Sequence, residues 1–369
     1  MIRWRQGSVE SVGRRWRGAV ELEVRLTQRT PDDPSSVRAL AYPALVGEPE
    51  TGDRVLLNAT ALALGLGTGG YALVVALPDR LPPDPSGPGH IVKSRYTPLQ
   101  TVTLAADEED SPFRSKLVDA DGLGGMPVVL ADLHSALPAI LAGIDATRPG
   151  TRVAYVMTDG GALPAWFSRS LSELTERLAG TVTAGQAYGG DLEAVNVHSA
   201  LLAARYALDA ELTIVAQGPG NLGTGTIWGF SGVAVGEAVN AVATLGGRPV
   251  GSLRISEADA RERHQGVSHH SLTAYGQVAL ARADLPVPAP LAAGLSSDLA
   301  PLQAKHRLVE VDCAGLDEAL RASPVKLSTM GRGLDGDYAY FLAAAAAGRH
   351  AAALLRHRVR CRDQARSRG

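Results

Sequence analysis

A regular alternation of strand-like and helix-like segments begins at residue 126 and constrains the fold more than any other feature. Short apolar runs predict strands, and longer segments with helical spacing of apolar residues follow them. The predicted strands span residues 126–131, 152–157, 181–184, 212–216 and 249–255, and the predicted helices span 135–144, 164–178, 192–208, 233–245 and 271–281. Strands that are apolar throughout and alternate with helices are typical of a parallel sheet with both faces covered.

We therefore expect residues 120–355 to form an α/β domain, doubly wound, mostly parallel and Rossmann-like. Its last part should add a strand near 308–312, a short strand at 325–327 and an Ala-rich helix from about residue 338 to 355. The final stretch, 356–369, carries six arginines and is predicted to be a basic flexible tail.

The first 78 residues have a different pattern, in which short alternating runs are separated by turn-forming residues. Many short strands without a helical period favour a small β-barrel or sandwich. The stretch PDRLPPDPSGPG, residues 78–89, reads as a Pro/Gly-rich connector. We expect an N-terminal β domain over residues 1–110 that includes this connector.

Composition excludes several classes of protein. A net charge of -2 gives no overall field for nucleic acid or anionic membranes, so no specific nucleic-acid partner is expected. Two cysteines, Cys313 and Cys361, exclude a disulfide framework and any multi-cysteine metal site. The N-terminus lacks a signal-like apolar run, and the longest apolar tract, 341–355, is too short to cross a bilayer. We expect a cytoplasmic protein.

Polar residues follow each of the five predicted strands. They are Asp132 and His134 after the first, Asp159 after the second, Asp191, Glu193 and His198 after the third, residues 217–226 after the fourth, and residues 256–271 after the fifth. The carboxyl ends of parallel strands meet at one edge, where open α/β sheets bind ligands. The sequence therefore predicts a functional site at this edge.

Eight residues are candidates for acid–base catalysis or metal binding: Asp132, His134, Asp159, Asp191, Glu193, His198, His269 and His270. Carboxylates converging from several strand ends would suit Mg²⁺ or Mn²⁺, although the metal itself stays unknown. For each residue alone, a helix cap or a satisfied core position is the commoner role. Asp191, for example, could cap the predicted helix after it, with His198 two turns along the same face.

A glycine loop, GPGNLGTG, spans residues 218–225 and supplies the candidate anion-binding residues Gly218, Gly220, Gly223, Thr224 and Gly225. It matches the G-x-G-x-x-G spacing of dinucleotide-binding folds, but Pro219 removes one N–H and no acidic residue follows at the expected strand end. No Lys-Ser/Thr pair follows, so it is not a P-loop. An anion nest and a tight crossover both remain open.

The stretch RERHQGVSHHS, residues 261–271, places three histidines within seven residues. Their spacing matches no standard zinc motif, and the side chains should diverge on any regular element. Arginines beside imidazoles favour a clamp for phosphate or carboxylate, with a histidine acid or base and a solvated loop as alternatives. The anion-binding candidates here are Arg254, Arg263 and His264, joined by Lys326 and Arg332 if the last part of the chain folds back.

These segments together resemble a family of uncharacterised bacterial proteins, the domain of unknown function DUF3866. The resemblance rests on ADLHS at 131–135, MTDGG at 157–161, GGDLE at 189–193, the glycine loop, and RHQGVSHHS at 263–271, and it covers nearly the whole chain. It implies no established activity, cofactor or catalytic residue.

The sequence thus favours an enzyme, a hydrolase or transferase acting on a small anionic substrate such as a phosphorylated one. The alternative is a metabolite-sensing or scaffold protein without turnover, whose β domain binds a partner. Leu201, Leu202 and the Ala-rich helix suit helix packing and could form a homodimer interface.

Overall fold

The computed structural model describes residues 1–355, and every element below lies within them. The basic tail predicted at 356–369 lies outside the described residues. The N-terminal strands are β1 (Trp4–Trp16), β2 (Ala19–Gln28), β3 (Ser36–Ala41), β4 (Arg54–Asn58) and β5 (Ala72–Ala76), with short helices α1 (Pro43–Val46) and α2 (Thr60–Ala63). They close into a barrel in the order β1-β2-β3-β5-β4, which confirms the barrel and excludes the sandwich.

Burial of the side chains alternates along β2, which shows how the barrel interior is filled. Val20, Leu22 and Val24 are buried, whereas Glu21 and Glu23 between them are not. Successive side chains of a strand point to opposite faces, so the apolar set fills the barrel interior.

A short hairpin and a helical turn lie between the connector and the large sheet. They are β6 (Ile91–Lys93), β7 (Thr101–Thr103) and α3 (Arg114–Leu117). The Nζ atom of Lys93, a fully buried residue, donates to the carbonyls of Ala187 and Ala194, each at 2.9 Å. These bonds attach the hairpin to the α/β part of the chain.

The eight-stranded sheet is parallel throughout. Its strands are β8 (Pro127–Ala131), β9 (Val153–Thr158), β10 (Gly180–Thr183), β11 (Leu192–Glu193), β12 (Leu212–Gln217), β13 (Arg248–Ser252), β16 (Asp284–Pro288) and β17 (Arg307–Val311), in the order β11-β10-β9-β12-β8-β13-β16-β17. Two small antiparallel pairs accompany it, β14 (Ile255–Ser256) with β15 (Gly266–Val267) and β18 (Ser328–Thr329) with β19 (Arg332–Gly333). The α/β class and the parallel sheet predicted from the sequence are confirmed.

Helices cover both faces of this sheet. They are α4 (Leu137–Thr147), α5 (Arg169–Glu173), α6 (Val197–Tyr206), α7 (Ala234–Thr244), α8 (His269–Thr273), α9 (Ala289–Ala292), α10 (Ser296–Gln303), α11 (Leu316–Arg321) and α12 (Tyr338–Ala353). Val128 and Leu130 of β8 join one core with α6 and α7. Val129 and Ala131, the alternate residues, join a second core with α4 and α12.

Three local predictions are wrong. The helix expected at 192–208 begins instead at Val197, because residues 192–193 pair with β10 and the Asn196 side chain caps the helix. The helix expected at 164–178 is divided into short turns, since Ser168 caps a new helical start at α5. The strand expected at 325–327 forms three residues later, in β18.

The strand order creates a switch point between β8 and β13. The connection leaving β8 leads to β9, and the connection leaving β13 leads in the opposite direction to β16. A crevice forms outside the carboxyl ends of two neighbouring strands whose connections diverge in this way, and ligands bind there in open α/β sheets. No helix within residues 1–355 has the length and apolar character needed to cross a membrane.

Candidate functional site

Residues that follow β8 and β13 meet at this switch point. Asp132 comes directly after β8 and is 6% exposed, and Arg254 follows β13 and is 3% exposed. Between them, His270 places its Nδ1 atom 3.7 Å from Oδ2 of Asp132 and 3.3 Å from a guanidinium nitrogen of Arg254. A carboxylate, a guanidinium and an imidazole therefore share one buried space at the predicted edge.

His264, His269 and His270 converge in the same place. Their ring centroids lie 4.4 to 4.9 Å apart, and one ring nitrogen from each lies within 4.8 Å of the others. The expectation that these side chains diverge is wrong. A 3₁₀ turn at Glu262–His264 and the β14–β15 pairing fold the segment back onto the start of α8, which Ser268 caps through its hydroxyl.

Burial keeps two of these histidines neutral. Loss of hydration lowers the pKa of His264 to about 3 and that of His269 to about 4, and the positive charges of nearby arginines act in the same direction. Both rings are therefore uncharged at neutral pH and have a lone pair to offer. Phe230 stacks on His270 with ring centroids 3.7 Å apart and planes 2° from parallel, which fixes the orientation of that ring.

Three buried polar atoms have no hydrogen-bond partner within the described part of the chain: Oδ2 of Asp132, Nε2 of His269 and Oε1 of Gln217. An unsatisfied buried polar atom costs about 1–3 kcal/mol, so native proteins contain few of them. The amide nitrogen of Gln217 donates to the Asp132 carbonyl at 2.7 Å, which fixes this side chain beside the same strand end. Asp132 and Gln217 also line a cavity of about 20 Å³, which has room for about one water molecule.

Two of the arginines predicted to bind an anion, Arg254 and Arg332, are already paired with carboxylates. The Asp259 carboxylate forms ion pairs with Arg261 at 2.8 Å, with Arg332 at 3.3 Å and with Arg254 at 3.4 Å. The hydrogen bond from Arg261 holds the pKa of this carboxyl well below its usual range. Arg332 also binds Asp337 at 2.8 Å. The last part of the chain folds back onto the edge, and there Arg254 and Arg332 form internal ion pairs.

Arg263 differs from these arginines. It is exposed, and no carboxylate pairs with it in the described structure. Its Nη2 atom lies 3.7 Å from the position that a β-carbon on Gly225 would occupy, so the glycine loop and the histidine stretch are neighbours. Within the loop, the N–H groups of Gly218 and Thr224 donate to the carbonyls of Thr158 and Gly229. Gly220 and Gly223 belong to the same exposed loop segment, and Lys326 is exposed just before β18.

Two candidates on the β8 and β9 loops do not join the histidine group. His134 uses both ring nitrogens, one with the Tyr155 hydroxyl at 2.8 Å and one with Ser168 Oγ at 2.7 Å. Asp159 is exposed, and its carboxylate accepts a hydrogen bond from the N–H of Gln186 at 2.9 Å.

Three candidates around β11 also lie apart. Asp191 pairs with Arg17 at 2.6 Å, and the interpretation of Asp191 as a cap sharing a helical face with His198 is wrong because β11 separates the two. Glu193 lies 3.4 Å from Lys93; burial raises the pKa of Glu193 and lowers that of Lys93. His198 is exposed in the first turn of α6.

Sequence reasoning overlooked Phe230, Asp337 and the buried Lys93. It placed Asp259 in the segment after the fifth strand but gave it no role, although Arg254, Arg261 and Arg263 are close to it in sequence. The other three carry no local signal, because each finds its partners on elements that are distant in sequence.

A family model described as Protein of unknown function (DUF3866) matches residues 38–348 of the chain. The chain belongs to this family. The matched segment contains the whole parallel sheet, the glycine loop and the three converging histidines. No curated protein and no solved structure shows a significant match to this DUF3866 chain.

Proposed function

We propose that this DUF3866 protein is an enzyme, a hydrolase or transferase, that acts on a small anionic substrate at the carboxyl edge between β8 and β13. The observation that carries the proposal is the convergence of His264, His269 and His270 beside Asp132 at the switch point. Imidazole rings in mutual contact, two of them neutral, next to a carboxylate with an unpartnered oxygen form an arrangement that serves catalysis or ligand binding better than it serves stability.

Arg263 would hold the anion. It is the exposed arginine of the histidine stretch that has no carboxylate partner within residues 1–355, and it lies beside Gly225. A guanidinium binds phosphate or carboxylate with two parallel N–H bonds, and a neighbouring glycine lets a bulky anion approach the backbone. The substrate class that fits is therefore a small phosphorylated or carboxylated molecule.

Asp132, rather than the neutral histidines, would supply the acid–base chemistry. A pKa as low as those of His264 and His269 makes an imidazole a weak general base at neutral pH, so neither ring suits simple proton abstraction. A buried carboxylate with an unpartnered oxygen can accept a proton or orient an attacking water. We assign this role to Asp132.

Turnover of a panel of phosphate monoesters and diesters, followed by release of phosphate or alcohol, tests the proposal. Arg263→Gln should raise KM by about tenfold to a hundredfold, since a hydrogen bond to a charged group contributes about 1.5–3 kcal/mol. Asp132→Asn should lower kcat instead. Arg14→Gln, an exposed arginine on the barrel, is the matched control and should change neither.

The alternative, a metabolite sensor or scaffold, is decided by the same panel. Compounds that raise the melting temperature through Arg263 but are never turned over would establish a sensor and refute the enzyme. A panel that gives neither turnover nor an Arg263-dependent shift in melting temperature would refute both.

Further parts of the proposal concern the whole protein. We propose a Rossmann-like use of the sheet, in which the ligand lies at the carboxyl edge, although the strand order differs from the 3-2-1-4-5-6 order of dinucleotide-binding folds. We also propose a bacterial, cytoplasmic protein with an N-terminal β domain over residues 1–110, which includes the connector, and an α/β domain over residues 120–355; the bonds of Lys93 attach the hairpin of the first to the second. A homodimer would need a surface other than α12, whose residues are mostly buried within the chain.

A further inference from the structure

We infer that His264, His269 and His270 bind one divalent transition-metal ion of the zinc type. The inference goes beyond the proposed function, because metal binding at these residues requires neither an anionic substrate nor turnover. Four observations support it: the donor set, the positions of the ring nitrogens, the partners behind the rings, and the side of the site that remains open.

The donor set selects the kind of metal. Imidazole nitrogens suit zinc, copper, iron and nickel, whereas Mg²⁺ requires oxygen ligands. Within residues 1–355 the three histidines are the one group of three or more His, Cys, Asp or Glu side chains close enough to share an ion. The sequence-based expectation of Mg²⁺ or Mn²⁺ relied on carboxylates that the fold places at separate positions.

The ring nitrogens need only a small adjustment to surround a metal. They lie within 4.8 Å of one another, and tetrahedral zinc with Zn–N bonds of 2.0–2.1 Å holds its nitrogens about 3.3 Å apart. Nδ1 of His264 is bonded to Ser268 Oγ at 2.7 Å, which leaves Nε2 of that ring for the ion. Nε2 of His269 is buried without a partner, as a ligand nitrogen would be before coordination.

With a metal ion bound, Asp132 positions His270 through Oδ2 and no longer serves as the base assigned to it above. A guanidinium can only donate, so in the present arrangement Nδ1 of His270 accepts from Arg254 and the ring proton is on Nε2. Coordination through Nε2 puts the ring proton on Nδ1, which then donates a hydrogen bond to the unpartnered Oδ2 of Asp132, 3.7 Å away, in place of accepting one from Arg254. A carboxylate behind a metal-bound histidine fixes the tautomer and strengthens the ligand.

The site keeps one side open. Three protein ligands leave a fourth tetrahedral position, which is the pattern of catalytic zinc rather than structural zinc. His269 is less buried than His264 and His270, so the open side of the site lies next to His269. A bound ion would lower the pKa of a coordinated water to about 7 beside the arginine that we assign to the anion.

Metal content and affinity of the full-length protein test the inference. After dialysis against chelator, the protein should take up one Zn²⁺ per chain in competition with a chromophoric chelator, and Zn²⁺ should raise its melting temperature. His264→Gln, His269→Gln and His270→Gln should each weaken Zn²⁺ binding more than about a hundredfold, and Asp132→Asn about 10- to 100-fold. His198→Gln, an exposed histidine on α6, should bind Zn²⁺ like the wild type.

X-ray absorption of the zinc-loaded wild type keeps the inference testable if a variant fails to fold. Scattering from three imidazoles supports the assignment, and a shell without them overturns it. The inference is also overturned if folded His264→Gln, His269→Gln and His270→Gln all bind Zn²⁺ as tightly as the wild type. Turnover by a wild-type protein that takes up no Zn²⁺ would refute the metal alone, whereas stoichiometric Zn²⁺ binding without turnover would refute the enzyme alone.

Discussion

Burial and hydrogen bonding determine the protonation of His134, whose ring lies between the hydroxyls of Tyr155 and Ser168. Loss of hydration lowers its pKa to about 4, against about 6.5 in an unfolded chain. Between these values the unfolded chain binds a proton that the folded chain does not. The contribution of His134 to stability is therefore complete above about pH 6.5 and is lost as the pH falls toward 4, by roughly 3 kcal/mol in total.

Denaturant unfolding at pH values from about 7.5 down to about 5 measures this effect. His134→Gln, which cannot take up the proton, should show a free energy of unfolding that depends less on pH than the wild type. The exposed His198→Gln should match the wild-type slope. Equal slopes for His134→Gln and the wild type would contradict the prediction.

At the scale of single residues, the sequence predicted where the site lies but not what each side chain does there. Asp132, Arg254 and His270 were expected at the carboxyl edge, and the structure brings them together. The contacts among these side chains depend on the 3₁₀ turn at Glu262–His264 and on the cap that Ser268 gives to α8, and the spacing of residues in the sequence specifies neither. His134 also follows a predicted strand, but both of its ring nitrogens are hydrogen-bonded within the protein, which the sequence could not show.

Among the helices, α4 and α12 make the closest contact, and two glycines permit it. A β-carbon on Gly143 would lie 1.9 Å from the carbonyl oxygen of Ala345, and one on Gly348 would lie 2.0 Å from that of Ile140. Each helix thus contributes a glycine where the backbone of the other passes. The sequence suggested α12 as a dimer surface. Its small alanine side chains instead let this helix pack inside the chain, where most of its residues are buried.

Gly143→Ala and Gly348→Ala should both destabilise the protein, even though alanine favours helices over glycine. Relieving the overlap requires α4 and α12 to separate, and overpacking of this kind costs about 1–3 kcal/mol. Thermal melting checks the result, with Gly294→Ala as the control because its nearest neighbour would lie 3.7 Å away. Unchanged melting of Gly143→Ala would show that the helices can separate freely.

Element by element, the apolar runs predicted the central strands well because a strand buried on both faces must be apolar throughout. β16 escaped prediction because Pro286 and Pro288 lack the N–H that a central strand normally uses, and β16 pairs with β13 at a single position. β11 was not predicted, because a strand of two residues does not interrupt the helical spacing of apolar residues that begins at residue 192.

For the whole molecule, Trp166 connects the barrel to the sheet. The ring lies 5.9 Å from that of Tyr42 in the barrel and 5.6 Å from that of Tyr188 beside the sheet, and its carbonyl accepts a hydrogen bond from Trp16 at 2.6 Å. A β-carbon on Gly18 would lie 2.2 Å from the Trp166 ring, so the barrel fits closely against it. The sequence predicted both parts but not this contact, since its partners lie about 150 residues apart.

Trp166→Ala should therefore separate the unfolding of the barrel from that of the sheet. Truncating a large buried aromatic costs about 3–5 kcal/mol, and a half-buried one somewhat less. The connector at 78–89, which has no regular secondary structure, should then be cleaved faster by a protease, and calorimetry should show two transitions. Trp228→Ala is the control, because Trp228 lies in the exposed segment after the glycine loop and away from this contact. It should leave both measurements unchanged. A single transition and unchanged cleavage in Trp166→Ala would mean that another contact between barrel and sheet, such as the ion pair of Arg17 with Asp191 at 2.6 Å, holds the two parts together.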